Sequence, residues 1–94
     1  MTREEILALT TDDYQNRNGD YPINNVPDRI EVSDFGEDRF MIHADFKNTT
    51  EDFAKHWLTK YADDHDLKVI RDADAWQSGD YENDWVDADI VVGI

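Results

Sequence analysis

The sequence predicts an α+β domain: a short N-terminal helix, then a ββαββ-like arrangement in which one main helix packs on a mostly antiparallel four-stranded sheet. Three observations predict it. Residues 29–33 and 39–46 alternate apolar and polar side chains on either side of a short loop containing Gly36, which is the pattern of a β-hairpin. Residues 53–62 carry one apolar stripe at helical period. Residues 84–92 alternate again and end in the β-branched Ile90-Val91-Val92.

Thr2 to Leu9 reads as the short helix. Thr2 is placed to cap it, Glu5 three residues on completes a capping box, and Ile6, Leu7 and Leu9 supply an apolar side. Thr11-Asp12-Asp13 opens a further helical turn, which Asn18-Gly19-Asp20 ends because Asn and Gly tolerate positive φ. Pro22 and Pro27 make residues 21–27 a loop. In the hairpin, Ile30 and Val32 point one way and Glu31 and Ser33 the other. Asp34-Phe35-Gly36-Glu37-Asp38 forms the turn, and Phe40, Ile42, Ala44 and Phe46 line one face of the second strand.

For the main helix, Thr49 is the expected cap and Asp52 returns the capping bond. Phe53, Ala54, Trp57, Leu58, Tyr61 and Ala62 form its stripe. The helix should end at Asp63-Asp64-His65-Asp66, where three acids oppose the macrodipole. Leu67 to Arg71 is a strand, and Asp72 to Asn83, with Ser78-Gly79-Asp80, a turn or long hairpin loop. In the last strand Val86, Ala88, Ile90 and Val92 should face the core, and Trp85, Asp87, Asp89 and Val91 should face away. With a helix on one face the other sheet face is open. That open face should carry Glu31, Ser33, Met41, His43, Asp45, Lys68, Asp87 and Asp89.

Ninety-four residues make one domain with one modest core, divided into an N-terminal helix and loop (1–28) and a sheet-and-helix core (29–94). Cysteine is absent, which excludes disulfides, thiolate nucleophiles and Cys-type zinc sites. The first residues lack the basic and apolar regions of a signal peptide, and no apolar run approaches membrane-spanning length, so a cytoplasmic protein is expected.

Charge is the dominant compositional feature. Twenty-three acids face nine bases, a formal net charge of −14. Residues 72–94 hold seven carboxylates and no Lys or Arg, interleaved with Trp76, Tyr81 and Trp85. A solvated acidic tail would lack those aromatics and β-branched residues. Such a charge disfavours nucleic acid and anionic membranes as partners and favours basic protein surfaces or divalent cations. General salt adaptation is the rival explanation of the acidity. Against it, isoleucine (seven) outnumbers valine (six), and Lys (four) is nearly as common as Arg (five).

Catalytic and metal patterns are weak. Gly19 or Gly79 as the sixth residue of an EF-hand loop puts Tyr14 or Trp76 at a ligand position, so both registers fail. Asp63-Asp64-His65-Asp66 and Asp72-x-Asp74 are dense in oxygen donors but read as a solvated surface. His43, His56 and His65 lack the i, i+4 spacing of a zinc helix. Ser33 and Ser78 stand in no nucleophile elbow, and the four glycines build no phosphate loop. The sequence therefore predicts no enzyme, no cofactor and no metal.

Two readings remain. The first is a non-enzymatic binding inhibitor that presents a nucleic-acid-like surface to a basic nucleic-acid enzyme. In charge, size and general architecture, though in no motif, the chain resembles small acidic nucleic-acid mimics such as anti-restriction and anti-CRISPR proteins, and nuclease inhibitors and immunity proteins. Its expected partner-binding residues are Asp72, Asp74, Trp76, Asp80, Glu82, Asp84, Trp85, Asp87 and Asp89, joined by Glu31 and Asp45 if the open sheet face is used. Trp76 and Trp85 either pack a small satellite cluster or serve as aromatic anchors ringed by acids. The second reading is an accessory or structural module of a phage or mobile element. It would associate through an apolar surface or a sheet edge, as a homodimer for example, with acidity serving solubility.

Overall fold

The computed structural model describes residues 2–9, 27–47, 49–78 and 85–94. The expected helical turn and loop over residues 11–26 and the candidate residues Asp80, Glu82 and Asp84 lie outside these described residues. The described chain forms α1 (Arg3–Leu7), β1 (Arg29–Gly36), β2 (Arg39–Lys47), α2 (Glu51–Asp64), β3 (Lys68–Ser78) and β4 (Trp85–Gly93). This is the α+β class that the patterns predict: one main helix on a four-stranded antiparallel sheet. The strand order is β1-β2-β4-β3. The last strand therefore enters between β2 and β3, and α2 crosses over it. No helix among the described residues is long and apolar enough to cross a membrane.

In α1 the capping box forms as expected. Thr2 Oγ1 accepts from Glu5 N at 3.2 Å, and Glu5 Oε1 accepts from Thr2 N at 3.1 Å. That bond from the Thr2 backbone holds the Glu5 carboxyl below its ordinary value. Ile6 and Leu9 are buried, whereas Leu7 is exposed. Arg3 pairs with Asp34, fixing α1 against β1.

The hairpin runs three residues further than its alternation. β1 continues through an irregularity between Asp34 and Gly36, and the reversal is made by Glu37 (φ 55°) and Asp38 (φ 60°) alone. Two successive positive φ angles match the twist of a tight hairpin, a geometry that Asn-Gly usually supplies. Beyond it, Phe40, Ile42, Ala44 and Phe46 are all essentially inaccessible.

The cap of α2 is Thr50 rather than Thr49. Thr50 is extended, its carbonyl accepts from Ala54 N at 3.1 Å, and its Oγ1 accepts from Phe53 N at 3.1 Å. One step of register puts Phe53 where Asp52 was expected, so no carboxylate returns a bond to the cap. Glu51 and Asp52 instead lie in the first turn, where their charge suits the helix dipole. The apolar stripe is buried as predicted: Ala54, Trp57, Leu58, Tyr61 and Ala62 are inaccessible or nearly so, with Phe53 half-buried. Phe46 meets Trp57 edge-on at 5.6 Å, and Trp57 stacks on Tyr61 at 5.1 Å. The helix closes in a Schellman motif. Leu67 N donates to Ala62 O at 2.9 Å and Asp66 N to Asp63 O at 3.0 Å, with Asp66 at φ 55° in the place glycine usually takes.

The expectation of a turn or long loop over Asp72–Asn83 is overturned for its first half, because β3 runs unbroken to Ser78. Arg71-Asp72-Ala73-Asp74 breaks the alternation that marks a strand. The sheet absorbs the break in two register irregularities, between Val69 and Arg71 and between Arg71 and Asp74. After them alternation resumes: Ala75 and Gln77 oppose the core-facing Ala88 and Val86, while Asp74 and Trp76 oppose Asp89 and Asp87. In β4, Val86, Ala88, Ile90 and Val92 are buried on the α2 side, as expected. β1 and β3 are left as the sheet edges, each irregular and charged in ways that discourage edge-to-edge pairing.

Candidate functional site

The face of the sheet opposite α2 is built by the register. Across β1-β2-β4-β3, Arg29, Asp45, Asp87 and Trp76 stand in one row, and Glu31, His43, Asp89 and Asp74 in the next. Ser33, Met41, Val91 and Arg71 form a third row. At the other side of the first, Lys47, Trp85 and Ser78 complete the face. Neighbouring strands lie about 4.8 Å apart and successive rows about 6.7 Å.

The face is mixed in sign. Glu31, Asp45, Asp74, Asp87 and Asp89 share the face with Arg29, Arg39, Lys47, Lys68 and Arg71. Three of the acids occupy the central strands β2 and β4, while the bases sit on the edge strands or at the ends of β2. Arg71 pairs with Asp89. Arg29 places Nε and Nη2 on Asp45 Oδ2 at 3.0 and 2.9 Å, and reaches Glu31 at 3.6 Å. The excess of acid lies elsewhere. Asp34, Glu37 and Asp38 on the hairpin turn and Asp63, Asp64 and Asp66 at the end of α2 gather at one end of the sheet, where Arg39, Gly93 and Lys68 are paired.

At the centre of the face, Asp45 uses its two oxygens differently. Oδ2 takes the Arg29 guanidinium, and Oδ1 lies 3.1 Å from His43 Nε2. Directly opposite on β4 is Asp87, with Ser78 on the same face of neighbouring β3. Burial pushes the Asp45 carboxyl up, but the hydrogen bond from Asp87 and the charges of His43 and Arg29 outweigh it and hold Asp45 below the ordinary carboxylate range. Asp87 moves the other way. Burial and its hydrogen bond to Asp45 raise it, against a smaller lowering from Ser78. Of the two facing carboxyls, Asp87 takes up a proton first and donates it to Asp45. Trp76 packs beside this group, its ring 5.9 Å from that of His43, and is still 39% exposed. The Lys47 ammonium lies 5.8 Å from the Trp85 ring.

Of the nine expected partner-binding residues, the structure brings Asp74, Trp76, Trp85, Asp87 and Asp89 onto this face. Asp72 is exposed on β3 within the second irregularity, between Arg71 and Asp74. The acids named from sequence behave differently from one another. Asp89 is held by Arg71, whereas Asp72 and Asp74 enter no ion pair among the described residues. Sequence reasoning set His43 aside. Its signal was the spacing His43-x-Asp45, which puts both on one face of a strand, but Asp87 joins them only through the β2–β4 pairing. Among the described residues, His43, Asp45 and Asp87 are the one group whose imidazole and carboxylate donor atoms all fall within 4.8 Å of one another. The Asp63–Asp66 cluster is not such a group: His65 Nδ1 turns back to Tyr61 O at 2.8 Å, and Asp64 pairs with Lys60 at 3.3 Å.

A shallow depression of about 370 Å³ opens beside the start of α2, lined by Thr49, Thr50, Glu51, Asp52, Gln77 and Val86. Its two carboxylates make it unsuited to the anions that helix N-termini otherwise attract. Comparison with protein-family models, with curated proteins and with solved structures finds no match to this chain.

Proposed function

We propose that this chain is a non-enzymatic acidic binding protein that occupies the basic surface of a nucleic-acid-binding protein as a nucleic-acid mimic and so blocks it. The observation that supports this most is the exposed edge strand β3. Its Asp72 and Asp74 enter no ion pair among the described residues, and Asp74 stands two residues before the half-exposed Trp76 on the same face. Carboxylates around an aromatic anchor suit a cationic partner: the charges steer the encounter and the ring supplies buried area. Asp80, Glu82 and Asp84 extend the acidic run along the sequence, and Trp85, Asp87 and Asp89 follow them. Such an inhibitor acts in the cytoplasm, in that of the host cell if it is phage-encoded.

The test is capture on the immobilised protein from nuclease-treated bacterial lysate, at low and high salt, with DNA and RNA as competitors. The reading requires salt-sensitive capture of a basic nucleic-acid enzyme that nucleic acid displaces and that Asp72→Lys/Asp74→Lys abolishes. A complex indifferent to salt and to that charge reversal would sink it.

One observation favours the second reading, an accessory module that associates through apolar contact. Phe35 (56% exposed), Ile70 (40%) and Ile94 (58%) lie at the hairpin-turn end of the sheet, where Ile94 N donates to Asp38 O at 3.3 Å. Association through them would persist or strengthen in high salt.

A further inference from the structure

We propose that His43, Asp45 and Asp87 form a binding site for a first-row divalent transition ion, Zn²⁺ being the representative. Three observations converge on it. The donor set contains an imidazole nitrogen as well as two carboxylate oxygens, and all three donor atoms lie within 4.8 Å of one another. An ion about 2.0–2.2 Å from each donor needs them roughly 3–4 Å apart. His43 Nε2 and Asp45 Oδ1 are already at 3.1 Å, and an oxygen of Asp87 lies within 4.8 Å of both.

The second observation is rigidity. All three residues stand on β2 and β4, the two strands with a partner on each side. Asp45 and Asp87 are direct cross-strand partners, and His43 is two residues along on the same face. Like charges directly opposite on a sheet are destabilising unless something between them compensates. A cation does so.

The third observation is the surround. Arg29 takes the outer oxygen of Asp45 and leaves Oδ1 for His43, and the Trp76 ring walls the His43 side. Such outer contacts orient ligands and tune their affinity. The side chains of His43 and Asp45 keep about a fifth of their surface, so an ion has a path in. Three donors of mixed nitrogen and oxygen type suit zinc, manganese or cobalt with solvent completing the shell. They are too few, and of the wrong kind, for Ca²⁺, which takes six to eight oxygens. The site adjoins the β3 surface through Trp76, but binding of an ion to the isolated protein is read without any partner, so it stands or falls independently of the partner proposed above.

The experiment is titration of the purified, chelator-treated protein with Zn²⁺ by calorimetry and with Co²⁺ by visible absorption. In parallel, ¹⁵N-resolved spectra follow the imidazoles of His43, His56 and His65. The expected result is saturable binding of one ion per chain, a shift of the His43 ring nitrogens first among the three, and no competition from excess Ca²⁺ or Mg²⁺. His43→Gln and Asp87→Asn should each weaken binding by at least about tenfold, while Asp63→Asn/Asp66→Asn leaves it unchanged. Each variant's amide spectrum is recorded to establish that it is folded. Absence of saturable binding, or binding that folded His43→Gln retains, or an equal loss in the Asp63→Asn/Asp66→Asn control, would overturn the proposal.

Discussion

Asp87→Asn should raise the stability of the metal-free protein at neutral pH while leaving it nearly unchanged in acid. Asp87 and Asp45 are cross-strand partners on β2 and β4, both half-buried, so at neutral pH two carboxylates oppose each other. An opposed like-charged pair costs about 0.2–1 kcal/mol. Asparagine keeps the shape and offers Asp45 a permanent N–H donor in place of a proton that Asp87 carries only when protonated. Partial exposure screens the repulsion, so the lower part of that range applies, about 0.5 kcal/mol. For a domain of this size that corresponds to roughly 2–4 °C in Tm. The sign with pH follows from the raised Asp87 carboxyl. The stability it contributes is present below its ordinary value near 3.8 and is lost as pH rises through its higher folded value. The substitution removes that loss. Thermal or urea unfolding with chelator present, at pH 3.5 and pH 7, measures both ends. An equal gain at both pH values, or a loss at pH 7, would refute the argument that the two carboxyls are in conflict.

Asp66→Gly should stabilise by about 1 kcal/mol, seen as a higher urea midpoint with unchanged slope, because it relieves a positive φ at a Schellman position and removes an acid from a helix C-terminus. Glu37→Asn/Asp38→Gly should stabilise by a similar amount in the same assay, since both residues sit at positive φ in a two-residue turn. Phe46→Ala should cost about 3–5 kcal/mol by removing the ring that meets both Phe53 and Trp57, with collapse of the near-ultraviolet circular dichroism of Trp57 as the readout.

The parts of the fold that were legible are those where one period rules. Phe40 to Phe46 and Val86 to Ile90 alternate, and Phe53 to Ala62 keeps one helical stripe, so most of the core was readable residue by residue; Val91, expected to face away, is buried on the other sheet face. β3 was misread because Arg71 to Asp74 shifts phase within the strand. Local pattern carries no information about a neighbour that tolerates such a shift. The α2 cap moved by one residue because Thr49 and Thr50 are chemically equivalent there. The candidate face was legible only in membership. His43, Asp45, Asp87 and Asp89 were placed on it, but their pairing with Arg29 and Arg71 and the meeting of Asp45 with Asp87 depend on the strand order, which no local signal encodes. An acidic composition therefore says how much charge there is, and the register says which of it is spoken for.

The position of β4 also governs how the molecule is assembled. It follows β3 in sequence and is an inner strand of the sheet, so Arg39 must find Gly93 across more than half the length of the sequence. Until that happens β2 and β3 are both unpaired on the sides they will turn toward β4, and the apolar stripe of α2 lacks half its floor. The hairpin of β1 and β2 is local and quick, whereas closure of the sheet is a long-range event of the kind that slows folding. The interval between the two exposes sticky strand edges. The self-repulsion of an acidic chain acts in that interval as well, keeping incomplete copies apart until the central strand slides into place.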